Sequence, residues 1–130
     1  MRGFIGVPYV SGGRDPGGWD CWGVVHYVSR HVFDRELPSY ADYNDASERD
    51  EVGPIFQREA LVDWLPVSEE QPGDVVVFRI LGLPTHCGLV IDPPLMLHCL
   101  KGRATVLESY RALLWRNRIE GFYRWPMAAR

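Results

Sequence analysis

The chain has 130 residues, with 14 Lys and Arg against 17 Asp and Glu for a net charge of −3, so it lacks the positive footprint that nucleic-acid binding requires. Hydrophobic residues make up 46% and charged residues 24%, which suits one packed core, argues against disorder and predicts a single domain over 1–130. No run approaches the roughly 18 apolar residues of a membrane helix, and Gly and Pro break the first residues too early for a signal peptide.

Residues 3–19 hold Gly3, Gly6, Pro8, Gly12, Gly13, Pro16, Gly17 and Gly18, a density that predicts an ordered loop in place of a long helix or flat strand. From Cys21 the apolar positions Val24, Val25, Val28 and Val32 recur at helical spacing. Asp20 is the expected N-cap and Phe33 the expected end. An acidic stretch over 36–54 reads as a solvated loop with about one helical turn, and Ile55, Leu61 and Val62 suggest a short second helix near 55–64. The turn Gln71-Pro72-Gly73-Asp74 leads into a strand beginning Val75-Val76-Val77-Phe78. Further strands are expected over 86–91, 95–100, 105–107 and 119–125. Helices followed by strands predict an α+β fold with an antiparallel sheet.

Three cysteines, Cys21, Cys87 and Cys99, form neither an even disulfide framework nor a C-x-x-C zinc pair. Cys21 falls in the first helical turn, where the positive end of the helix dipole favours thiolate over thiol and prepares a nucleophile. A thiolate nucleophile needs a base, and His86 and His98 fall in adjacent strand segments. A three-residue turn at 92–94 sets His98 opposite Gly88 and diagonal to His86, so His98 can orient His86. By the same alternation Cys87 and Cys99 face the other way, into the core. His26 and His31 read as partly exposed surface residues. Trp19 and Trp22 flank Cys21 and either fill the core or line a groove.

The segments Gly6-Val7-Pro8-Tyr9-Val10-Ser11-Gly12-Gly13, Asp20-Cys21-Trp22-Gly23, Pro72-Gly73-Asp74-Val75-Val76-Val77-Phe78 and His86-Cys87-Gly88-Leu89-Val90 together resemble the NlpC-type cell-wall cysteine peptidases. The ending Trp115-Arg116-Asn117-Arg118-Ile119-Glu120-Gly121-Phe122-Tyr123-Arg124 is similar to the version found in phage tail-assembly proteins. The resemblance implies a papain-like α+β domain whose nucleophile helix packs on an antiparallel sheet. It makes Cys21 the nucleophile, His86 the general base and His98 the third polar residue. Tyr9 then lies near the oxyanion site, and Asp20 matches an acid that meets the free amino group of a trimmed stem peptide. Members that use this acid usually follow the cysteine with Ser, where this chain has Trp22.

By the same resemblance the substrate is the peptidoglycan stem peptide, commonly cut between D-glutamate and a diamino acid, with no cofactor and no metal. The expected setting is a phage or prophage tail, held in the host cytoplasm before assembly and acting at the wall, with tail-tip proteins as partners and no membrane insertion. The first helix of many relatives is expected to be short or missing, and no wall-binding module is expected. Three other readings are consistent with the residues: a structural tail-tip or assembly component with little activity, a zinc site on Cys21, His86 and His98, and an amidase or acyltransferase on the same triad.

Overall fold

The computed structural model describes residues 2–39 and 64–126. The anticipated acidic loop from 42 to 51 and nearly all of the helix near 55–64 lie outside the described residues. After a short 3-10 turn at Arg2–Phe4, the strands β1 (Arg14–Asp15) and β2 (Gly18–Trp19) form a small antiparallel hairpin, followed by helix α1 (Cys21–Val32). Six strands make the main sheet: β3 (Leu65–Val67), β4 (Val75–Ile80), β5 (Leu83–Asp92), β6 (Leu95–His98), β7 (Val106–Ser109) and β8 (Ile119–Arg124). Their order is β3-β8-β4-β5-β6-β7, and every pairing is antiparallel.

The ordered loop expected over 3–19 is knitted to a distant part of the chain. Gly6 N–H donates to the Thr105 carbonyl and Thr105 N–H to that of Val7, both at 2.9 Å, while Tyr9 N–H donates to the Arg103 carbonyl at 3.1 Å. The Trp19 indole N–H reaches Thr105 Oγ1 at 2.7 Å. Such mutual pairing satisfies backbone groups that glycine-rich chain cannot satisfy through regular structure.

Helix α1 starts and stops as its sequence predicts. Asp20 caps it from an extended conformation, and beyond Phe33 the chain turns at Asp34, which takes the left-handed region (φ 55°). Arg30 and His31 occupy the last turn, where positive charge complements the dipole. The buried stripe runs through Cys21, Val24, Val25 and Val28 but stops short of Val32, which is 42% exposed. His26 is half-buried and His31 exposed.

Both faces of the central strands are covered, which is why β4 begins as an unbroken apolar run and not as an alternation. On one face Val75, Val77, Cys87, Leu89, Leu97 and Cys99 pack against Cys21, Val24, Val25 and Val28 of α1. On the other, Val76, Phe78, Val90 and Met96 pack with Tyr110 and Trp115 from the segment that links β7 to β8. The register agrees: Val77 faces Cys87 and Val75 faces Leu89, whereas Phe78 faces His86 and Val76 faces Gly88.

The β5–β6 connection departs from expectation. Asp92 pairs with Leu95 across a two-residue Pro93-Pro94 turn, and a bulge between Val90 and Asp92 then brings Val90 to Met96 and Leu89 to Leu97. Pairing continued one step sets Gly88 beside His98. A Cβ placed on Gly88 would lie 3.3 Å from the His98 Cβ.

Candidate active site

Cys21 is the first residue of α1, where the backbone N–H groups have no intrahelical acceptor. Its position is set by Asp20, which is completely buried. Asp20 Oδ1 accepts the Gly23 N–H at 2.8 Å and the Arg14 Nη1 at 3.0 Å, and Oδ2 accepts the Gly12 N–H at 3.0 Å. Asp20 therefore presents no exposed surface: its two oxygens tie the glycine-rich loop, the β1 strand and the helix start together. The tie is close enough to demand Gly23, because a Cβ there would stand 2.2 Å from the Gly13 carbonyl oxygen.

Trp22 is likewise core and not groove. It has no exposed surface, its Nε1 donates to the Pro38 carbonyl at 2.9 Å, and its ring meets Trp64 edge-on at 5.8 Å. Burial of the large ring on α1 anchors the chain leaving the helix. Trp19 is also fully buried. Tyr9 is half-buried, bridged by its backbone to Trp19 and packed against the α1 side of the core.

The Cys21 thiol, in a residue only 4% exposed, meets β5 from the helix side and packs in one core with Cys87. Burial, then the neighbouring Cys21, push the Cys87 thiol well above its ordinary range, so Cys87 stays protonated. Burial raises Cys99 as well; its Sγ lies 3.8 Å from the carbonyls of Val7 and Arg103. These two cysteines are core residues, as alternation predicts, and all three are free thiols.

His86 precedes Cys87 in β5, and its ring turns to the other face. His86 Nε2 lies 2.8 Å from His98 Nδ1, and His98 Nε2 lies 2.6 Å from Glu108 Oε1. The two histidines are 3% and 1% exposed. His86 is stacked between Phe78, with centroids 5.8 Å apart, and Trp115, at 5.5 Å, while Trp115 meets His98 edge-on at 5.1 Å. Burial in this aromatic slot, and then the neighbouring His98, hold His86 well below the usual imidazole range. Burial also lowers His98, against an opposing pull from Glu108. Both rings are therefore neutral near pH 7, and the His98–Glu108 contact is a hydrogen bond from a neutral ring to a carboxylate.

The structure thus joins His86 to His98 but does not join Cys21 to either: among the described residues Cys21 packs with Cys87 on the helix face of β5, and the His86 ring lies on the opposite face against Phe78 and Trp115. Glu108, Phe78 and Trp115 were not anticipated as part of the site. For Glu108 a signal existed: in β7 it pairs with Met96 and alternates onto the His98 face, but the strand was expected to end at Leu107. Among the described residues no group of three or more His, Cys, Asp or Glu side chains is placed to hold a metal ion, so the zinc set Cys21, His86 and His98 is not assembled.

Comparisons with known proteins converge on one family. The chain is 26% identical over 125 residues to gamma-DL-glutamyl hydrolase of Bacillus subtilis, covering 93% of this chain and 27% of that protein. It is 28% identical over 113 residues to murein DD-endopeptidase MepS/murein LD-carboxypeptidase of Escherichia coli, covering 87% of this chain and 53% of that one. It therefore spans between about a quarter and a half of the length of these relatives.

In fold, the chain is similar to the NlpC/p60 domain of the peptidoglycan hydrolase SagA. The TM-score is 0.61 at 23% identity, over 95% of this chain and 90% of that one. An NlpC/P60 family protein from Bacillus cereus matches with a TM-score of 0.68 at 20% identity, over 94% and 36%. These likenesses establish the α+β architecture, a helix packed on an antiparallel sheet. The model of the NlpC/P60 family matches residues 6–124, and the chain belongs to that family.

Proposed function

We propose that this protein is a thiol hydrolase of peptidoglycan stem peptides, with Cys21 as nucleophile, His86 as general base and acid, and His98 orienting His86. The observation that carries the reading is the buried His86–His98 hydrogen bond, 2.8 Å long, which joins the two imidazoles of the motif; Cys21 packs beside Cys87 on the helix face of β5, and its approach to His86 is part of the proposal. With Nε2 of His86 engaged by His98, Nδ1 is the nitrogen that takes the thiol proton. The Cys21 thiolate then attacks the peptide carbonyl. Backbone N–H groups at the start of α1, with Tyr9, hold the oxyanion, and Nδ1 of His86 returns the proton to the leaving amine. Water, deprotonated by the same nitrogen, releases the acyl-enzyme.

The finer reading is cleavage between D-glutamate and the diamino acid. It is supported by the motif resemblance and by relatives named as a glutamyl hydrolase and as a murein endopeptidase. Delivery by a phage or prophage tail rests on the similarity of residues 115–124 to tail-assembly proteins, and predicts that antibody to this chain labels purified tail particles. The decisive assay is digestion of purified muropeptides followed by mass spectrometry. We expect products with a newly freed amine on the diamino acid, and none from Cys21→Ser or His86→Ala. Intact muropeptides with the wild-type chain, or undiminished cleavage by Cys21→Ser, would refute the assignment. The structural tail component predicts no cleavage by any variant, and an amidase or acyltransferase predicts different products.

A further inference from the structure

The polar chain on the Trp115 side of the sheet does not end at His98. We propose that Glu108 is a positioning residue, whose carboxylate holds His98 with its proton on Nε2 and, through His98, fixes His86 as the tautomer with a proton on Nε2 and a lone pair on Nδ1. The inference deepens the hydrolase reading and rests on it for its catalytic meaning.

The argument follows from donor and acceptor chemistry along two short contacts. A carboxylate can only accept, so the 2.6 Å contact between Glu108 Oε1 and His98 Nε2 requires a proton on that nitrogen. A neutral imidazole carries one proton, which leaves His98 Nδ1 as an acceptor. The 2.8 Å contact to His86 Nε2 is then made only if His86 donates. His86 has in turn used its single proton, and Nδ1 is left basic. A donor or nothing at position 108 removes this constraint. His98 could then carry its proton on Nδ1 and donate a hydrogen bond with it to an unprotonated His86 Nε2, which puts the single proton of His86 on Nδ1, where it cannot accept one from a thiol.

Among the described residues the two rings meet no competing partner. The slot around His86 is made of Phe78 and Trp115. The Trp115 Nε1, buried without an acceptor, makes no hydrogen bond to either ring. Burial keeps both rings neutral, as the one-proton count requires. Glu108 reaches His98 from β7, diagonal to it across the pairing of His98 with Val106, and 38% of its side chain stays exposed. Replacement there perturbs the relay with little disturbance of the core.

The test is long-range proton–nitrogen NMR of the full chain labelled at histidine, run beside muropeptide turnover. In the wild type both His86 and His98 should show a protonated Nε2 and an unprotonated Nδ1. Glu108→Ala should give mixed tautomers at both rings and lower kcat by roughly ten- to a hundredfold, the scale of one charge-assisted hydrogen bond, with KM nearly unchanged. Glu108→Gln, whose amide oxygen accepts the same proton, should keep the wild-type nitrogen shifts and recover most of the rate. Should Glu108→Ala fail to fold, Glu108→Asp, with its carboxylate drawn back from His98, carries the same expectation.

Unchanged tautomers in Glu108→Ala would overturn the proposal, as would altered tautomers with unaltered kcat in an active enzyme. Glu108-dependent tautomers in a wild type that cleaves no muropeptide would uphold the relay and refute the hydrolase reading instead.

Discussion

Asp20 gives the sharpest test of how the loop, the helix and Cys21 are held together. Its carboxylate accepts from Gly23 at the cap, from Gly12 in the loop and from Arg14, all at 2.8 to 3.0 Å and with no exposed surface. Asp20→Ala removes an N-cap bond worth about 1 kcal/mol. It also removes a charge-assisted bond to a loop N–H worth about 2 kcal/mol. Arg14 keeps its bonds to the Ser39 and Gly13 carbonyls, at 2.9 and 2.8 Å, so its loss is small. The total is about 3 kcal/mol, and with a urea m-value of about 1.5 kcal/mol/M the midpoint should fall by about 2 M. Asp20→Asn keeps one acceptor oxygen but turns an NH2 toward either the Gly12 N–H or the Gly23 and Arg14 donors, for a cost of about 2 kcal/mol. Equilibrium urea unfolding of both variants measures these shifts. If both unfold within about 0.5 kcal/mol of the wild type, the carboxylate is not a structural tie. If stability is unchanged while KM rises only for stem peptides with a free amine, Asp20 is the substrate acid that the motif resemblance suggested.

Three other outcomes follow from the same geometry. His86 and His98 are held neutral below their ordinary range in the fold, so on acidification through about pH 6.5 the unfolded chain binds protons that the native one does not. Stability should therefore fall with pH by about 1.4 kcal/mol per pH unit for each such histidine, until its own folded pKa is reached. Urea unfolding at about pH 7.5 and about pH 5 measures it, and equal stability at the two would contradict burial of neutral rings. Trp115→Ala, at a residue 3% exposed that covers the His86–His98 pair, should cost about 3–5 kcal/mol; a thermal midpoint within a degree or two of wild type would show that the segment does not seal that face. Gly88→Ala places a methyl 2.9 Å from Met96 Sδ and 3.3 Å from the His98 Cβ. The flexible Met96 can yield but the strand under His98 cannot, so a loss of about 1–3 kcal/mol with altered His98 NMR shifts is expected, and native shifts would refute it.

Much of this architecture can be read from local pattern. Helix α1 declares itself through the apolar spacing after Asp20, and the strands through short β-branched runs bounded by Gly and Pro. The proximity of His86 and His98 follows from counting residues across a turn. The illegible parts are those decided by distant chain. Nothing local says that Asp20 will be buried, because its burial depends on Gly12 and Arg14 arriving from the loop. The sequence left Trp22 between core and groove, and it is Pro38 and Trp64, from distant chain, that enclose it. The strand β8 slots between β3 and β4, an order fixed by long-range pairing. Glu108 escaped notice because its value lies in the partner its strand face meets, not in its neighbours along the chain.

One small irregularity decides whether the relay forms at all. A regular two-residue hairpin joining Asp92 to Leu95 would continue as Ile91 with Met96, Val90 with Leu97 and Leu89 with His98. His98 would then share the face of Leu89 and Cys87, among the apolar side chains that α1 covers, and a one-residue slip of this kind exchanges the faces of the whole strand. The bulge between Val90 and Asp92 inserts one unmatched residue and restores the alternate phase, so that Leu89 meets Leu97 and His98 falls beside Gly88. Gly88 then matters because it lets the His98 strand lie close, and Trp115 because it closes the slot over both rings. The expectation of a three-residue turn reached the right pairing because an added turn residue and a bulge change the parity of the register in the same way. His86 thus faces His98 on the Trp115 side of the sheet and Cys87 faces Cys21 on the helix side, so two successive residues of one strand meet the candidate site residues from opposite faces.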